Sequence, residues 1–200
     1  MNTIRQLCDR CVVLNQGKVI FVGDVEKAIE LYLQNTNDGY TPFTALETRD
    51  RPQNSTNRAR MHNVEFIDKE ESVAVRGEQL KIKLRWQAKD KLEDVKFRMI
   101  IRYRDDTPVG LVQSDIIASV CAGEQRETVF SLDTSMLADG KYFFSIALFQ
   151  SDDIGNSVIL DHVTRACGIE IISPLEGERL LNWEHRWWGS VRFPNLEILN

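Results

Sequence analysis

From Met61 onward, apolar and polar residues alternate along the chain with a period of two. Residues 80–86 place Leu, Ile, Leu and Trp at every second position with Lys, Lys and Arg between them, and residues 95–103 repeat this pattern. Because successive side chains of a strand point to opposite faces, each run predicts a strand with one buried face. Similar runs, separated by turn residues, occupy 109–116, 123–132, 136–149, 157–163 and 166–172. Short strands at regular spacing predict an all-β fold, an immunoglobulin-like antiparallel β-sandwich over residues 61–200.

The run that follows Asp139-Gly140 is rich in aromatic and β-branched residues, which favours a central strand. Asp-Gly-x-Tyr at a strand start is typical of the tyrosine corner of such sandwiches, so we expect the Tyr142 hydroxyl to bind the preceding loop. One face of this strand carries Tyr142, Phe144, Ile146 and Leu148. The other face carries Phe143, Ser145, Ala147 and Phe149, which predicts a shallow apolar trough rather than a charged, solvated surface.

Residues 1–34 follow a different pattern. Residues 2–11 predict an amphipathic helix whose apolar stripe includes Cys8 and Cys11, so we expect these thiols to pack rather than to bind metal or act in redox chemistry. Residues 12–14 and 19–22 predict a hairpin, and Asp24 predicts the cap of a second helix. This small α/β unit is too small for a core of its own, so we expect it to be the end of a larger domain.

Residues 35–60 are polar, contain proline and show no periodicity, which predicts a linker. Its four arginines, Arg49, Arg51, Arg58 and Arg60, either contact a membrane surface or an acidic partner, or are solvated charges of a plain tether. We expect the plain tether, because solvated linker charge is the common case.

The C-terminal tail concentrates indole rings, with three of the four Trp of the chain between residues 183 and 188. Aromatic side chains at this density form a core plug, an interface or a stacking surface. We predict a dimer interface that consists of Trp183, Trp187, Trp188 and Phe193. A last apolar strand at 196–199 is expected to pair with the same sandwich or with the edge of a partner.

Composition excludes several classes of function. The net charge of −5 argues against a nucleic-acid partner, and no apolar run reaches the 18 residues of a membrane span. Residues 1–10 are polar and periodic, so we expect no secretion signal there, and the four cysteines are expected to be reduced thiols.

The N-terminal unit resembles the last segment of ABC-transporter nucleotide-binding domains. The resemblance rests on the "CDR" turn at 8–10, "VVLNQGKV" at 12–19 and "GDVEKAIELYL" at 23–33. The chain has no G-x-x-x-x-G-K-[ST] phosphate loop, and the acidic Mg-binding strand, the signature loop and the switch His of that family are absent too. We therefore expect no ATP hydrolysis and no cofactor here, with ATP and Mg bound by a longer parent subunit.

A nucleotide-binding-domain end, a linker and a sandwich that ends in "HRWWGSVRFPNLEI" are similar to the Wzt type of ATPase subunit, which serves the export of lipid-linked O-antigen polysaccharide. In that family the C-terminal sandwich binds the modified non-reducing end of the finished glycan, and it dimerises with exchange of a C-terminal strand. The resemblance implies non-catalytic glycan recognition that couples chain completion to export. It also implies a membrane permease as partner, a homodimer, and a position at the cytoplasmic face of the inner membrane.

A sugar site needs an apolar platform and planar polar groups. The trough with Phe143, Ser145 and Phe149 offers the platform, and the strand over 95–104 is expected to place Arg98 and Arg102 beside it. Guanidinium groups bind carboxylate and phosphate, so an acidic or phosphorylated terminal sugar fits. His162 offers a further hydroxyl contact, and the alternative is that it is a hydrogen-bonded structural residue. The alternative is that Phe143 and Phe149 pack under another segment while the arginines are solvated. A further alternative is a ligand-free dimerisation module.

A carbohydrate-active enzyme is the third interpretation. Asp161 with Asp152 or Asp153 has the residue types of a glycosidase pair, but carboxylates in polar loops are mostly solvated, and no nucleophile motif accompanies Asp161-His162. His62 and His185 have no partners at metal-ligand spacing. We expect neither catalysis nor a metal site.

Overall fold

The structure of the chain is a computed structural model that describes residues 4, 7–34, 40–151, 154–174 and 182–199. The strands among these residues are β1 (Cys11–Asn15), β2 (Lys18–Gly23), β3 (Phe43–Ala45), β4 (Ala59–Phe66), β5 (Val73–Val75), β6 (Gln79–Ala88), β7 (Leu92–Tyr103), β8 (Pro108–Val120), β9 (Gln125–Asp133), β10 (Gly140–Ser151) and β11 (Ser157–Ile172). The helices are α1 (Val25–Gln34) and α2 (His185–Trp188).

Two sheets pack face to face and enclose the main core. One has five strands in the order β5-β11-β10-β7-β8, and the other has four in the order β3-β4-β6-β9. All neighbours are antiparallel except β5, which pairs with β11 in parallel. Phe66 from one sheet meets Phe144 from the other edge to face, with ring centroids 6.2 Å apart. The prediction of an antiparallel β-sandwich is confirmed.

The period-two pattern marks the buried faces correctly. In β6 the side chains of Leu80, Ile82, Leu84 and Trp86 are buried, while the basic residues between them are exposed or partly exposed. In β7 the buried side chains include Val95, Phe97, Met99 and Ile101. Antiparallel sandwiches show this alternation because one face of each sheet packs on the other sheet and one faces water.

The tyrosine corner is also confirmed. The Tyr142 hydroxyl donates to the carbonyl of Ala138 at 2.6 Å, and it lies 3.2 Å from the carbonyl of Ser190. Gly140 has a φ of +147°, and a Cβ there would lie 2.8 Å from the His185 Nε2. Only glycine allows the His185 ring to approach the backbone this closely. The C-terminal segment can therefore pack against the start of β10.

The sandwich begins before the predicted boundary at residue 61. Within the predicted linker 35–60, β3 pairs antiparallel with β4, with Thr44 opposite Val64, and Leu46 is fully buried. A strand of three residues is too short to show periodicity, so the sequence pattern gave no sign of it. Residues 35–39 of that linker lie outside the described part of the chain.

Arg51 is a buried ion-pair partner rather than a solvated tether charge. Its Nε lies 3.2 Å from Asp161 Oδ1, and it also donates to the carbonyls of Leu46, Arg49 and Met61. Asp161 is fully buried and accepts from the Met61 backbone N–H at 2.7 Å. The pair therefore joins β11 in one sheet to β4 in the other.

The N-terminal hairpin and the second helix form as predicted. β1 pairs with β2, and the Asp24 carboxylate accepts from the backbone N–H groups of Glu26 and Lys27 at the start of α1. Of the predicted helix over 2–11, the structure describes residues 4 and 7–11, with helix at residues 4 and 7 and none at 8–10. Cys11 already belongs to β1, so the predicted helix extends too far. Cys8 is exposed and Cys11 is partly exposed, so the expected burial of both thiols is wrong for this chain. Among the described residues, no helix combines the length and apolar character that a membrane crossing requires.

We expect Asp161→Asn to destabilise the sandwich strongly, because it leaves the buried Arg51 guanidinium without a counter-charge. The expected loss in the free energy of unfolding is about 3–5 kcal/mol, measured by urea denaturation. Asp90→Asn is the matched control, because Asp90 pairs with Arg58 at 3.1 Å in an exposed position, where an ion pair contributes at most about 1 kcal/mol. Equal losses for the two variants would show that the buried pair does not join the sheets.

Candidate functional site

The candidate site is the outer face of the five-stranded sheet, where β10 lies between β7 and β11. Phe143, Ser145, Ala147 and Phe149 point to this face as predicted, but each is only 2–5% exposed. The expectation of an open apolar trough is therefore wrong. The trough exists, and other side chains of the same chain fill it.

Three side chains cover the trough. The Arg165 Cζ lies 3.6 Å from the ring centroid of Phe143, and the Tyr40 ring lies 4.6 Å from the same ring. At the other end, the Arg98 Cζ lies 4.9 Å from the ring centroid of Phe149. A guanidinium over an aromatic face gains cation–π attraction and still presents its N–H donors at its edges. The outer surface thus consists of a cationic layer of guanidinium groups that lies on an aromatic base, the rings of Phe143 and Phe149.

The register places the predicted polar residues around this base. Arg102 is opposite Phe143 and Arg98 is opposite Ala147 in the β7–β10 pairing. On the other side of β10, Ala147 is opposite His162 of β11. The structure therefore brings Arg98, Arg102 and His162 onto one face, as the sequence predicted for the first two.

Arg165 is the residue of this face that sequence reasoning missed. Phe144 is opposite Cys167 and Ile146 is opposite Val163, so Thr164, Arg165 and Ala166 together oppose the single residue Ser145. Arg165 has a φ of +48°, and its backbone N–H donates to the Ser145 Oγ at 3.2 Å. This bulge directs the Arg165 side chain across the trough.

A cavity of about 580 Å³ opens beside the covered trough. Its lining includes Ile100, Arg102, Arg104, Ser145, His162 and Arg165. It also includes two carboxylates, Asp105 and Asp106, so the cavity combines guanidinium donors, carboxylates, hydroxyl groups and an imidazole with one apolar wall. This combination suits a polar ligand with several oxygen atoms.

The electrostatics of the cavity favour a neutral imidazole. Burial and the positive charge of Arg98 lower the pKa of His162, with a smaller lowering from Arg102, while Asp161 acts in the opposite direction. A neutral His162 offers one donor and one acceptor, so it can pair with a hydroxyl group in either sense. The positive charge of the face then comes from its arginines.

The residues of the alternative catalytic interpretation lie elsewhere. Asp161 is fully buried against Arg51, so it has no access to a ligand on the outer face. Asp152 and Asp153 fall outside the described residues. In the ranges that the structure describes, no three His, Cys, Asp or Glu side chains are placed to hold a metal ion together.

The Trp-rich tail is partly docked and partly exposed. The ring of His185 stacks on Tyr103 at 3.9 Å between centroids, and Val191 forms a β-bridge with Leu137. Trp183 meets Trp188 edge to face at 5.4 Å between centroids. In contrast, Trp187 is 68% exposed and Phe193 is 73% exposed.

The predicted strand at 196–199 is not present within this chain. Leu196, Ile198 and Leu199 are 87–97% exposed, with no strand assigned to them. A second cavity, of about 880 Å³, lies between this tail and the end of β7. Its lining includes Tyr103, Arg104, Trp183 and Trp187. Arg104 lines both cavities, so the two adjoin at this residue.

We expect the pKa of His162 to lie below its ordinary value of 6.5 and to rise in Arg98→Gln, because that change removes a nearby positive charge. Imidazole NMR titration measures both values. The unfolded chain takes up this proton at higher pH than the folded chain, so the contribution of His162 to stability is complete above pH 6.5 and declines as the pH falls towards the folded-state pKa. Arg85→Gln on the opposite sheet is the control, and an equal rise there would exclude a direct effect of Arg98.

The fold of this chain is similar to that of solved structures. The crystal structure of the C-terminal domain of wzt matches with a TM-score of 0.59 and 13% sequence identity, over 83% of this chain and 94% of that chain. The CARDB domain of a Pyrococcus furiosus protein in complex with di-metal ions matches 52% of this chain and 86% of its own, with 13% identity and a TM-score of 0.34. Comparison with curated proteins gives no match.

The family comparison agrees with the described architecture. The model of the Wzt C-terminal domain matches residues 50–182, more than half of the chain, and it begins inside the segment that the sequence pattern had assigned to a linker. The resemblance inferred from the sequence motifs is confirmed. The chain belongs to the Wzt C-terminal domain family.

Proposed function

We propose that this chain is a non-catalytic glycan-binding module, which recognises the non-reducing terminus of a lipid-linked O-antigen polysaccharide and couples completion of that glycan to export by an ABC transporter. The observation that carries the proposal is the cationic layer of Arg98, Arg102 and Arg165 on the aromatic base of β10, beside the 580 Å³ cavity. Family membership supports the same proposal.

The chemistry of the face suits a sugar. Hydroxyl groups need planar donors and acceptors, and the guanidinium groups, His162 and Ser145 provide them within one cavity or at its edge. Ile100 provides an apolar wall for the C–H groups of a sugar ring. The Arg98 guanidinium lies over the Phe149 ring, with its Cζ 4.9 Å from the ring centroid, and its N–H donors lie at the edges of this contact.

The charge of the face favours an anionic terminus. The chain as a whole carries a net charge of −5, yet this face gathers Arg98, Arg102, Arg104 and Arg165 against two carboxylates, Asp105 and Asp106. The attraction is therefore local to the site and is not a property of the whole protein. A sugar that carries a carboxylate or phosphate gains charge-assisted hydrogen bonds there that an uncharged sugar does not.

The N-terminal unit supports a link to an ABC transporter. Its hairpin exposes Val12, Leu14, Val19, Ile20 and Val22, an apolar surface suited to packing against the rest of a nucleotide-binding domain. In this proposal the parent subunit binds ATP and Mg and hydrolyses the nucleotide. It also contacts a membrane permease from the cytoplasmic face of the inner membrane.

Dimerisation is the second function that a specific observation favours. Trp187, Phe193, Leu196, Ile198 and Leu199 are all highly exposed in the single chain. Apolar side chains in this number are stabilised by an interface, so we infer a homodimer that buries the tail. A dimer is compatible with glycan binding, because the tail and the cationic layer are different surfaces.

We expect calorimetric titration with purified host O-polysaccharide to show binding of the capped glycan and not of the uncapped one. Arg98→Ala and Arg102→Ala should each weaken binding by about tenfold or more, as expected for the loss of a hydrogen bond from a charged group. Arg85→Ala is the control, because Arg85 is also an exposed arginine on a strand but pairs with Glu127 on the opposite sheet.

The outcomes separate the function from the site. Selective binding of capped glycan that is insensitive to both site variants would keep the function and reject this face. The absence of binding to either glycan, from a protein shown to be folded and dimeric, would favour the ligand-free dimerisation module.

We expect the double variant Trp187→Ala, Phe193→Ala to shift the chain from dimer to monomer in analytical ultracentrifugation, because it removes two exposed aromatic anchors of the inferred interface. Val129→Ala is the control, since Val129 is an exposed apolar residue on the other sheet. A dimer that persists unchanged in the double variant would show that these rings are not its contact.

A further inference from the structure

A carboxylate of the protein itself lies between two arginines of the cationic layer. Asp106, in the turn between β7 and β8, has its Oδ2 3.7 Å from Nη1 of Arg102 and its Oδ1 4.0 Å from Nη1 of Arg165. It also lines the 580 Å³ cavity together with Ser145 and His162. The turn therefore inserts a negative group at the point where two strands present positive ones.

The carboxylate of Asp106 does not hold the turn in place. Its neighbour Asp105 is buried and accepts from the Thr107 backbone N–H at 3.1 Å, while the Asp106 backbone N–H donates to the Tyr103 carbonyl at 2.8 Å. The Asp106 carboxylate is 62% exposed. Its φ of +71° is a conformation that both Asp and Asn tolerate. The turn is thus held by Asp105, by backbone hydrogen bonds and by Arg102, whose Nη1 donates to the Asp106 backbone carbonyl at 3.0 Å. The Asp106 carboxylate takes no part in these bonds.

Both contacts of the Asp106 carboxylate are long. Charge-assisted N–H···O hydrogen bonds lie at about 2.7–2.9 Å, well inside the 3.7 and 4.0 Å seen here. An exposed pair at such separations is weak, because water screens it. An external oxyanion that approaches both guanidinium groups at hydrogen-bond distance has a stronger interaction with them than Asp106 has.

We propose that Arg102 and Arg165 form an oxyanion subsite for the carboxylate or phosphate of a terminal sugar, and that Asp106 is an internal competitor which this anion displaces. The inference rests on the proposed glycan-binding function of the same face. An uncharged terminus leaves Asp106 in place between the arginines. Asp106 is tethered beside the two arginines, so its effective concentration there is high. An anion that binds the arginines weakly does not displace it, and the subsite therefore selects the correct terminus more strictly.

Other charged groups around the subsite add to its positive potential. Arg104 and His162 share the cavity, and Arg98 lies on the adjoining end of the trough. Lys141 lies over the Tyr40 ring at 5.3 Å, on the side of the trough where Arg165 is placed. The other carboxylates nearby are Asp105, which lines the same cavity, and Glu170, which pairs with Lys141 at 3.8 Å, so guanidinium groups still outnumber carboxylates around Asp106.

The test is NMR titration of the full chain with D-glucuronate, glucose 6-phosphate and uncharged glucose. Asp106→Asn should tighten binding of at least one of the two anions by about three- to tenfold and leave glucose unchanged, because it removes the carboxylate between the two guanidinium groups. The turn conformation remains, and so does the hydrogen bond from Arg102 Nη1 to the backbone carbonyl of residue 106. Arg165→Gln added to Asp106→Asn should abolish the gain. The anion that gains affinity identifies the ligand class as sugar acid or sugar phosphate.

Asp68→Asn is the matched control. Asp68 also has a positive φ, of 62°, is 77% exposed and lies 3.6 Å from one cation, Lys81, on another turn. It changes the net charge by the same amount. Equal gains in both Asp variants, or no gain for either anion in Asp106→Asn, would overturn the proposal. Titration of the unmodified chain with capped O-polysaccharide decides the glycan-binding function separately, since its binding does not depend on the outcome for Asp106.

Discussion

The structure depends on the burial of both faces of β10. From Tyr142 to Phe149 every side chain of this strand is buried, one set against the opposite sheet and the other beneath the outer surface. In the described part of the chain the sandwich consists of two sheets, and the outer set of β10 lies on the face turned away from the other sheet. The covering groups must then come from long side chains of neighbouring segments, and these are Arg98, Arg165 and Tyr40.

This constraint places positive charge on the face that we propose binds the glycan. A guanidinium that covers an aromatic ring is held by packing, and so it loses less conformational entropy when a ligand binds than a freely rotating one does. The same contact that shields Phe143 and Phe149 from water therefore pre-organises donors for a ligand. In the proposed function, stability and recognition depend on the same side chains, because a substitution in the aromatic base also changes the position of the arginines above it.

The sequence predicted the sandwich, its buried faces and the tyrosine corner, because each of these leaves a local pattern in the chain. It did not predict the cover of the trough or the bulge that supplies Arg165. Thr164–Ala166 opposite Ser145 inserts two extra residues, so Val163 and Cys167 keep the same parity. Arg165 stands at that parity too, and the sequence pattern therefore divides this strand into two runs, 157–163 and 166–172, instead of showing a bulge. Leu46, Arg51 and β3 were missed for a related reason, since their contacts are long-range and their segment is too short for periodicity.

Phe143 is the point at which three parts of the chain meet. Its ring contacts Arg165 from the bulge of β11 and Tyr40, which precedes β3 and is the first described residue after α1. Gly168 makes this meeting possible, because a Cβ there would lie 3.0 Å from the Tyr40 ring. The path from the N-terminal unit into the sandwich therefore passes over the same ring that supports the cationic layer. A ligand that draws Arg165 away from Phe143 exposes the ring on one side and leaves Tyr40 as its remaining cover, so the packing of the entry segment and the state of the site are physically linked.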